Sequence, residues 1–262
     1  MSDAVLYERE GGIITLTLNR PEKRNPISER DVVDGLVAAL GRVQADASAR
    51  AVILTGAGSA FSSGGDLRAM EAALEERARN PSAAIAYYTD GIQCIPLAFE
   101  ALDVPVIAAV NGPAIGAGTD LACMCDLRIA AEEARFAESF VKIGIIPGDG
   151  GAWLLPRIVG WSKACEMAFT GDVVSAREAL ACGLVSQVVP KDDLLPAARR
   201  LAERIAANPP LAVRATKRLL REGRFVRLDT LLHMSANAQA IAHTTTEHRE
   251  ALAAALAKPS KR

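Results

Sequence analysis

The chain has 262 residues, half of them hydrophobic, and a net charge of −1. That is enough apolar material for one full core, and it leaves no basic field to hold nucleic acid. The opening MSDAVLYERE lacks the charged start and apolar stretch of a secretory signal, and runs such as Val104 to Val110 are too short to span a bilayer.

Ile13–Leu18 is an apolar, β-branched run ending at Asn19-Arg20-Pro21, which predicts a strand. Ser28 is positioned to cap a helix through about Ala45, with Val32, Val33, Leu36, Leu40 and Val43 on its apolar face. Ala51–Thr55 and Val106–Val110 are continuous apolar runs, the pattern of strands covered on both faces. Leu127–Ala130 and Leu184–Val189 predict further short strands. From Leu194 the pattern is helical, broken near Asn208-Pro209-Pro210 and loosened by Gly223. The expectation is an α/β core over residues 1–194, followed by a helical region over residues 195–262.

Cysteines and histidines exclude several chemistries. Cys94, Cys123, Cys125, Cys165 and Cys182 are odd in number and scattered, as in a reduced, cytoplasmic protein with buried thiols. Cys123 and Cys125 do not share a helix face and have no histidine nearby, so no zinc or other metal site is expected. His233, His243 and His248 all lie late in the chain, and no G-x-S-x-G elbow supplies a serine for a triad.

Two glycine-rich segments follow predicted strands: Thr55-Gly56-Ala57-Gly58-Ser59-Ala60-Phe61-Ser62-Ser63-Gly64-Gly65-Asp66-Leu67 and Asn111-Gly112-Pro113-Ala114-Ile115-Gly116-Ala117-Gly118-Thr119-Asp120-Leu121. Neither completes G-x-G-x-x-G, because Phe61 and Leu121 stand at the final positions. No Tyr-x-x-x-Lys pair supports a short-chain dehydrogenase either. Pattern alone leaves two uses open. The loops are tight turns, or each aims one backbone N–H at a small anionic oxygen, with a following helix adding favourable potential.

Phe61-Ser62-Ser63-Gly64-Gly65-Asp66-Leu67 resembles the F-x-x-G-x-D-[LI] loop of enoyl-CoA hydratases and isomerases, the crotonase superfamily. Val106 to Arg128 is similar to that family's signature, with its N-G-x-x-x-G-[GA]-G core and trailing C-D. Arg20-Pro21, Asn25, Ile146-Pro147-Gly148, Gly150-Gly151, Leu155-Pro156-Arg157, Gly183-Leu184-Val185 and the ending Thr246-Glu247-His248 with Glu250-Ala251 also match. The resemblance implies an α/β spiral of ββα repeats with a C-terminal helical region used in trimer formation, giving a homotrimer or a dimer of trimers. It implies an acyl-CoA thioester substrate and no cofactor beyond the CoA that the substrate carries. Carried over by position, the oxyanion donors are the N–H groups of Gly65 and Ala117. Arg24, Ser63, Asp66, Leu67, Gly116 and Phe140 fall at substrate-lining positions.

The acids depart from the family pattern. Hydratases of this family use two glutamates around one water; here the first falls at Asp120 and the second at Phe140, which cannot move a proton. Glu138 and Asp149 are the nearby carboxylates. Two residues from Phe140, Glu138 would share its side in an extended chain, roughly 6.6 Å away. Asp149 opens a segment resembling the P-D-x-G-G-x-W-L-L-P run of phenylacetate-pathway ring isomerases, with the acid displaced by one position. Locally it also reads as the N-cap of the next helix. Asp66 reads as the cap of its own helix.

Lys23, Arg24 and Asn25 occupy the segment near the nucleotide end of CoA in the family, and a solvated turn is the plainer reading. Arg214, Lys217, Arg218 and Arg221 recur at helical spacing and predict a charged outer face rather than a phosphate or RNA contact. Met70 to Phe99 is expected to wall the acyl pocket. Three functions follow. The first is an enoyl-CoA hydratase or isomerase; the second is a ring isomerase or hydrolase using Asp149; the third is an acyl-CoA-binding relic without activity.

Overall fold

A computed structural model describes residues 4–257 of the chain. In chain order the elements are β1 (Val5–Glu10), β2 (Ile13–Leu18), α1 (Arg30–Ala45), β3 (Ala51–Gly56), α2 (Leu67–Ala72), α3 (Leu74–Arg79), α4 (Pro81–Tyr87), α5 (Cys94–Ala101), β4 (Val106–Val110), β5 (Ala114–Ile115), α6 (Ala117–Met124), β6 (Leu127–Ala131) and β7 (Arg135–Ala137). They continue with α7 (Gly151–Val159), α8 (Trp161–Thr170), β8 (Val174–Ser175), α9 (Ala176–Ala181), β9 (Gln187–Val189), α10 (Leu194–Ala206), α11 (Pro210–Glu222), α12 (Leu228–Ala242) and α13 (Thr246–Ala257).

Successive units build two sheets side by side. The larger runs β1-β2-β3-β4-β6-β9, antiparallel only at the β1/β2 hairpin, and the smaller runs β5-β7-β8. Each ββα repeat places its first strand in one sheet and its second in the other, as β4 with β5 and β6 with β7 show. Earlier repeats extend the small sheet without regular strands, through the bridges Ser62 to Ala114 and Pro26 to Gly64. The continuous apolar strands β3 and β4 are buried along their whole length, as strands covered on both faces must be. One face packs against α1, α5 and α6, and the other against Leu194, Ala197, Ala198 and Ala202 of α10.

Three local expectations are corrected. Ser28 does not cap α1; Glu29 precedes that helix with no side-chain cap, and the Ser28 hydroxyl instead accepts the Asp66 N–H at 3.1 Å. The strand expected over Leu184–Val189 is confined to Gln187–Val189, because Leu184 and Val185 turn inward and the Leu184 carbonyl accepts Arg128 Nε at 2.6 Å. Strand β1 was not anticipated. It is the sheet edge, where Glu8, Arg9 and Glu10 dilute the apolar signal.

The basic stripe of α11 is also corrected: it faces inward. Arg214 donates to the carbonyls of Asp46 and Ala49 at 2.7 and 3.2 Å, and Lys217 reaches the Val104 carbonyl and the Asp126 carboxylate at 3.0 and 2.7 Å. Arg218 and Arg221 converge on Asp103, which Gln44 also contacts. α11 buries no residue fully, so polar stitches, not an apolar stripe, fix it to the core. Burial acts to raise the Asp103 carboxyl, but bonds from Arg218 and Gln44 and the two guanidinium charges outweigh it and hold it below its ordinary value.

Asp103→Ala should therefore lower the unfolding free energy in a urea titration by about 2 kcal/mol, since it strands two guanidinium groups over a buried site. Arg218→Ala should cost less than about 1 kcal/mol, because that side chain is 58% exposed. A carboxyl with a depressed folded pKa contributes fully above its unfolded value. The difference between wild type and Asp103→Ala should thus persist at neutral pH and shrink only below about pH 4.

Candidate active site

The two glycine loops meet where the small sheet is completed by irregular chain. The Asn25 side chain, buried behind the first loop, accepts the Arg20 N–H and donates to the carbonyls of Ala57 and Ala60, each at 2.9 Å. Asn111 ties the same loop from the other side, accepting the Gly56 N–H at 3.2 Å. Beyond these anchors, Ser62 N donates to the Pro113 carbonyl at 3.1 Å and Ile115 N to the Ser62 carbonyl at 3.0 Å. The backbones then close further. A Cβ on Gly64 would lie 2.3 Å from the Ile115 carbonyl oxygen and 3.0 Å from Ala117 N, and Gly64 has φ +81°. Only glycine meets both demands.

This approach leaves two amides free. Gly64 N donates to Ser62 Oγ and Asp66 N to Ser28 Oγ, both at 3.1 Å, while the Gly65 N–H between them finds no acceptor among the described residues. Gly116 N donates to the Ala137 carbonyl at 2.7 Å, whereas the Ala117 N–H, first in α6, is likewise unbonded there. The Phe140 ring stands beside this turn, its Cε1 and Cζ 3.6 Å from where a Cβ on Gly116 would be.

Helix α6 carries the next group inward. Thr119 is fully buried and locks the helix to the small sheet by donating to the Ala114 carbonyl at 2.6 Å and accepting the Ala137 N–H at 3.2 Å. Asp120 follows, also fully buried, near enough to Glu138 and Asp149 for the charge of each to act on it. Those two are buried as well, at 1% and 3% exposure. Neither oxygen of Asp120 or Asp149, nor Oε1 of Glu138, receives a donor, and no ion pair of the described residues includes any of the three. Buried carboxyls with no donor and like charges nearby favour the protonated form over the ionised one.

Burial raises all three. For Asp120 the charges of Glu138 and Asp149 add to burial and carry it well above the ordinary range. Burial pushes Glu138 up to about 7, with its bond to Asp120 pulling the other way and the Asp149 charge adding to the rise. Asp149 is raised by burial, opposed by its contact with Asp120.

Two readings of these acids are corrected. Asp149 does not cap α7; Gly150, at φ 114°, takes the cap position without a side-chain bond, and the carboxyl turns toward Asp120. Glu138 and Phe140 do not lie on one side of an extended chain, because a 3-10 turn over Ser139–Ile143 begins between them. Glu138 thereby joins the acids and Phe140 joins the Gly116 turn. Asp66 caps α2 as expected, accepting Arg68 N and Ala69 N at 2.9 and 3.2 Å. Ser63 N bonds the Arg24 carbonyl at 2.8 Å, so Arg24 adjoins the first loop with its guanidinium exposed. Leu67 is 59% exposed. Lys23 is engaged by Glu29 at 2.5 Å.

Sequence reading missed Gly151 and the aromatic pair beyond Asp149. A Cβ on Gly151 would sit 2.0 Å from Asp120 Oδ1, so glycine there lets the start of α7 close over the acid. The doubled Gly150-Gly151 signalled this, although as a motif match only. Trp153 stacks on Phe225 with ring centroids 5.6 Å apart, across a sequence separation no local pattern spans. Among the described residues no group of three or more His, Cys, Asp or Glu is arranged to hold a metal ion, and no helix is long and apolar enough to cross a membrane.

Comparison with known proteins places this geometry in context. The family model described as "Enoyl-CoA hydratase/isomerase" matches residues 8–258. A crotonyl-CoA hydratase of Syntrophomonas wolfei is 36% identical over 255 residues, 97% of this chain and 95% of that one. A 1,2-epoxyphenylacetyl-CoA isomerase of Escherichia coli is 36% identical over 263 residues, 99% and 98% of the two chains. The crystal structure of an enoyl-CoA hydratase from Bacillus anthracis superposes with a TM-score of 0.88 at 37% identity, covering 96% of this chain and 95% of that one.

The buried acids set a pH dependence of stability. A carboxyl with a raised folded pKa binds more protons folded than unfolded, so stability falls as pH rises from about 4 through the folded value, near 7 for Glu138. Thermal unfolding should show the melting temperature declining between pH 5 and 8. Glu138→Gln should flatten that decline and be the more stable protein at pH 8; an unchanged slope would mean the acids are not buried as described.

Proposed function

The chain belongs to the enoyl-CoA hydratase/isomerase family, and from that premise we propose that Gly65 and Ala117 hold the oxygen of an enolate formed from an enoyl-CoA thioester. The supporting observation is the pair of unbonded N–H groups, one from each loop, whose neighbours Gly64, Asp66 and Gly116 are all bonded. A thioester carbonyl acidifies its α-carbon, and two fixed donors favour the charge that develops on its oxygen. Each donor lowers the barrier by about 3–4 kcal/mol.

Asp120 stands one helical turn beyond Ala117, about 5 Å along the axis, and is the proton shuttle in this reading. In its ionised form it takes a proton from one carbon, and once protonated it returns that proton two carbons away, with Glu138 and Asp149 adjusting its basicity. A single carboxyl suffices for such a double-bond shift, whereas hydration also needs a water positioned and deprotonated. By the sequence resemblance Phe140 falls where hydratases of the family carry their second glutamate, and in this reading that favours isomerisation. A second reading makes Asp149 the active acid in a ring isomerisation. It gains support from the release of Asp149 from capping and from the likeness to the 1,2-epoxyphenylacetyl-CoA isomerase.

No cofactor enters beyond the CoA of the substrate, whose phosphates suit the exposed Arg24 guanidinium. In this reading the region from residue 195 onward, helical in its described part, completes a homotrimer or a dimer of trimers. Leu228, Leu232 and Leu256 are 71%, 59% and 78% exposed, and neither α12 nor α13 buries a residue within the chain. Five free cysteines fit a reducing cytoplasm.

Asp120→Asn keeps the shape and removes the base. It should lower kcat by about a hundredfold or more and leave thioester affinity nearly unchanged. Wild type should shift the double bond of a 3-enoyl-CoA at least as fast as it hydrates crotonyl-CoA, and Phe140→Glu should raise hydration selectively. Rapid hydration that survives Asp120→Asn would sink this assignment of the acids.

Assembly is tested separately by sedimentation velocity at micromolar concentration. A trimer or hexamer is expected, and a monomer would refute the role given to the terminal helices.

A further inference from the structure

The Thr119 hydroxyl bonds to two chain segments on which the other site residues depend. It donates to the Ala114 carbonyl at 2.6 Å and accepts the Ala137 N–H at 3.2 Å. Ala114 lies in β5, where the next residue, Ile115, gives its N–H to the Ser62 carbonyl at 3.0 Å and so holds the loop that carries Gly65. Ala137 ends β7 immediately before Glu138, and its carbonyl takes the Gly116 N–H at 2.7 Å, next to Ala117. Thr119 itself sits in the first turn of α6, two residues after Ala117 and one before Asp120. One side-chain oxygen thus joins the supports of both unbonded amides and of two of the acids.

Threonine in a helix commonly turns its hydroxyl back on a carbonyl three or four residues earlier. Here the acceptor lies five residues earlier, outside the helix, and the donor 18 residues later. Both bonds therefore run between elements, and α6 carries no other hydroxyl. The helix does not need this one to be buried, since Leu121 and Ala122 beside it are fully buried in the apolar core. A hydroxyl in such surroundings is unfavourable unless its bonds are made, and both ends of this one are engaged. Resting on the functional reading above, we propose that Thr119 is a positioning residue: its hydroxyl sets the Ala117 N–H and the Asp120 carboxyl in register with the first loop, so that both oxyanion donors and the proton shuttle address one substrate. Being fully buried, it acts through its neighbours and not on the substrate itself. Without the hydroxyl α6 is free to shift against β5 and β7, and a displacement of about 1 Å at reacting groups costs about a hundredfold in rate.

The test compares, in the full chain, Thr119→Val, which keeps the branched shape and removes the hydroxyl, with Thr119→Ser, which keeps the hydroxyl. Two quantities are read for each: kcat for the double-bond shift of a 3-enoyl-CoA, and calorimetric affinity for butyl-CoA, a thioether lacking the carbonyl that the amides would hold. Thr119→Val should lower kcat by about tenfold or more while butyl-CoA affinity stays within about threefold of wild type. Thr119→Ser should keep kcat within about threefold of wild type. If Thr119→Val shows no cooperative melting transition, Thr119→Cys takes its place with the same expectation, because a thiol is only a weak donor. An unchanged kcat in the folded variant without the hydroxyl would overturn this inference alone, as would an equal fall in Thr119→Ser. Parallel losses of kcat and butyl-CoA affinity would leave Thr119 a structural residue and overturn it equally. Failure of wild type to turn over any enoyl-CoA would overturn the functional reading beneath it, and this inference with it.

Discussion

The approach of two backbones at Gly64 governs this site. The Ile115 carbonyl lies where any side chain on residue 64 would have to be, so the first loop can join the small sheet only as bare backbone. Once joined, its amides are sorted by what surrounds them. Serine hydroxyls take Gly64 N and Asp66 N, and no described residue takes Gly65 N. The second loop repeats the arrangement, with the Ala137 carbonyl taking Gly116 N and leaving Ala117 N. An unsatisfied amide has a cost, and these two are held in place by the bonded amides on either side of them.

The acid cluster depends on the same frame. Thr119 fixes α6 against the small sheet, and the residue after it has no choice but to point into the core. β7 delivers Glu138, and the start of α7 delivers Asp149, both to the one place where the helix exposes Asp120. Apolar packing alone would not assemble three carboxyls. Burial raises the pKa of each, so the protonated form limits the cost of holding them there.

Much of this was legible in the chain. β2, β3 and β4 declare themselves as apolar runs, and the two glycine loops follow from their spacing after strands. Asp120 is found only through the family resemblance, as the position where the first hydratase glutamate falls. The small sheet was not legible, since β5, β7 and β8 are two or three residues long and carry no period. Asp149 misled because Asp-Gly-Gly before a helix is good capping chemistry; only the turn at Gly150 sends its carboxyl elsewhere. The stripe on α11 misled for a different reason. Charged residues at helical spacing normally meet water, and here their acceptors are carbonyls and carboxylates more than ninety residues away in sequence.

The stack at Trp153 has an optical consequence. The chain has two tryptophans, and they sit in opposite surroundings. Trp153 is held between the Arg157 and Arg224 guanidinium groups, 4.2 and 4.7 Å from its ring, with Phe225 against it, whereas Trp161 is 76% exposed. Indole emission moves to shorter wavelength as water is withdrawn, so the two residues emit in distinguishable bands. With Trp161 replaced by phenylalanine, the intrinsic fluorescence of the protein becomes a label-free reporter of one place, the Trp153–Phe225 stack on the helix that follows the buried Asp149.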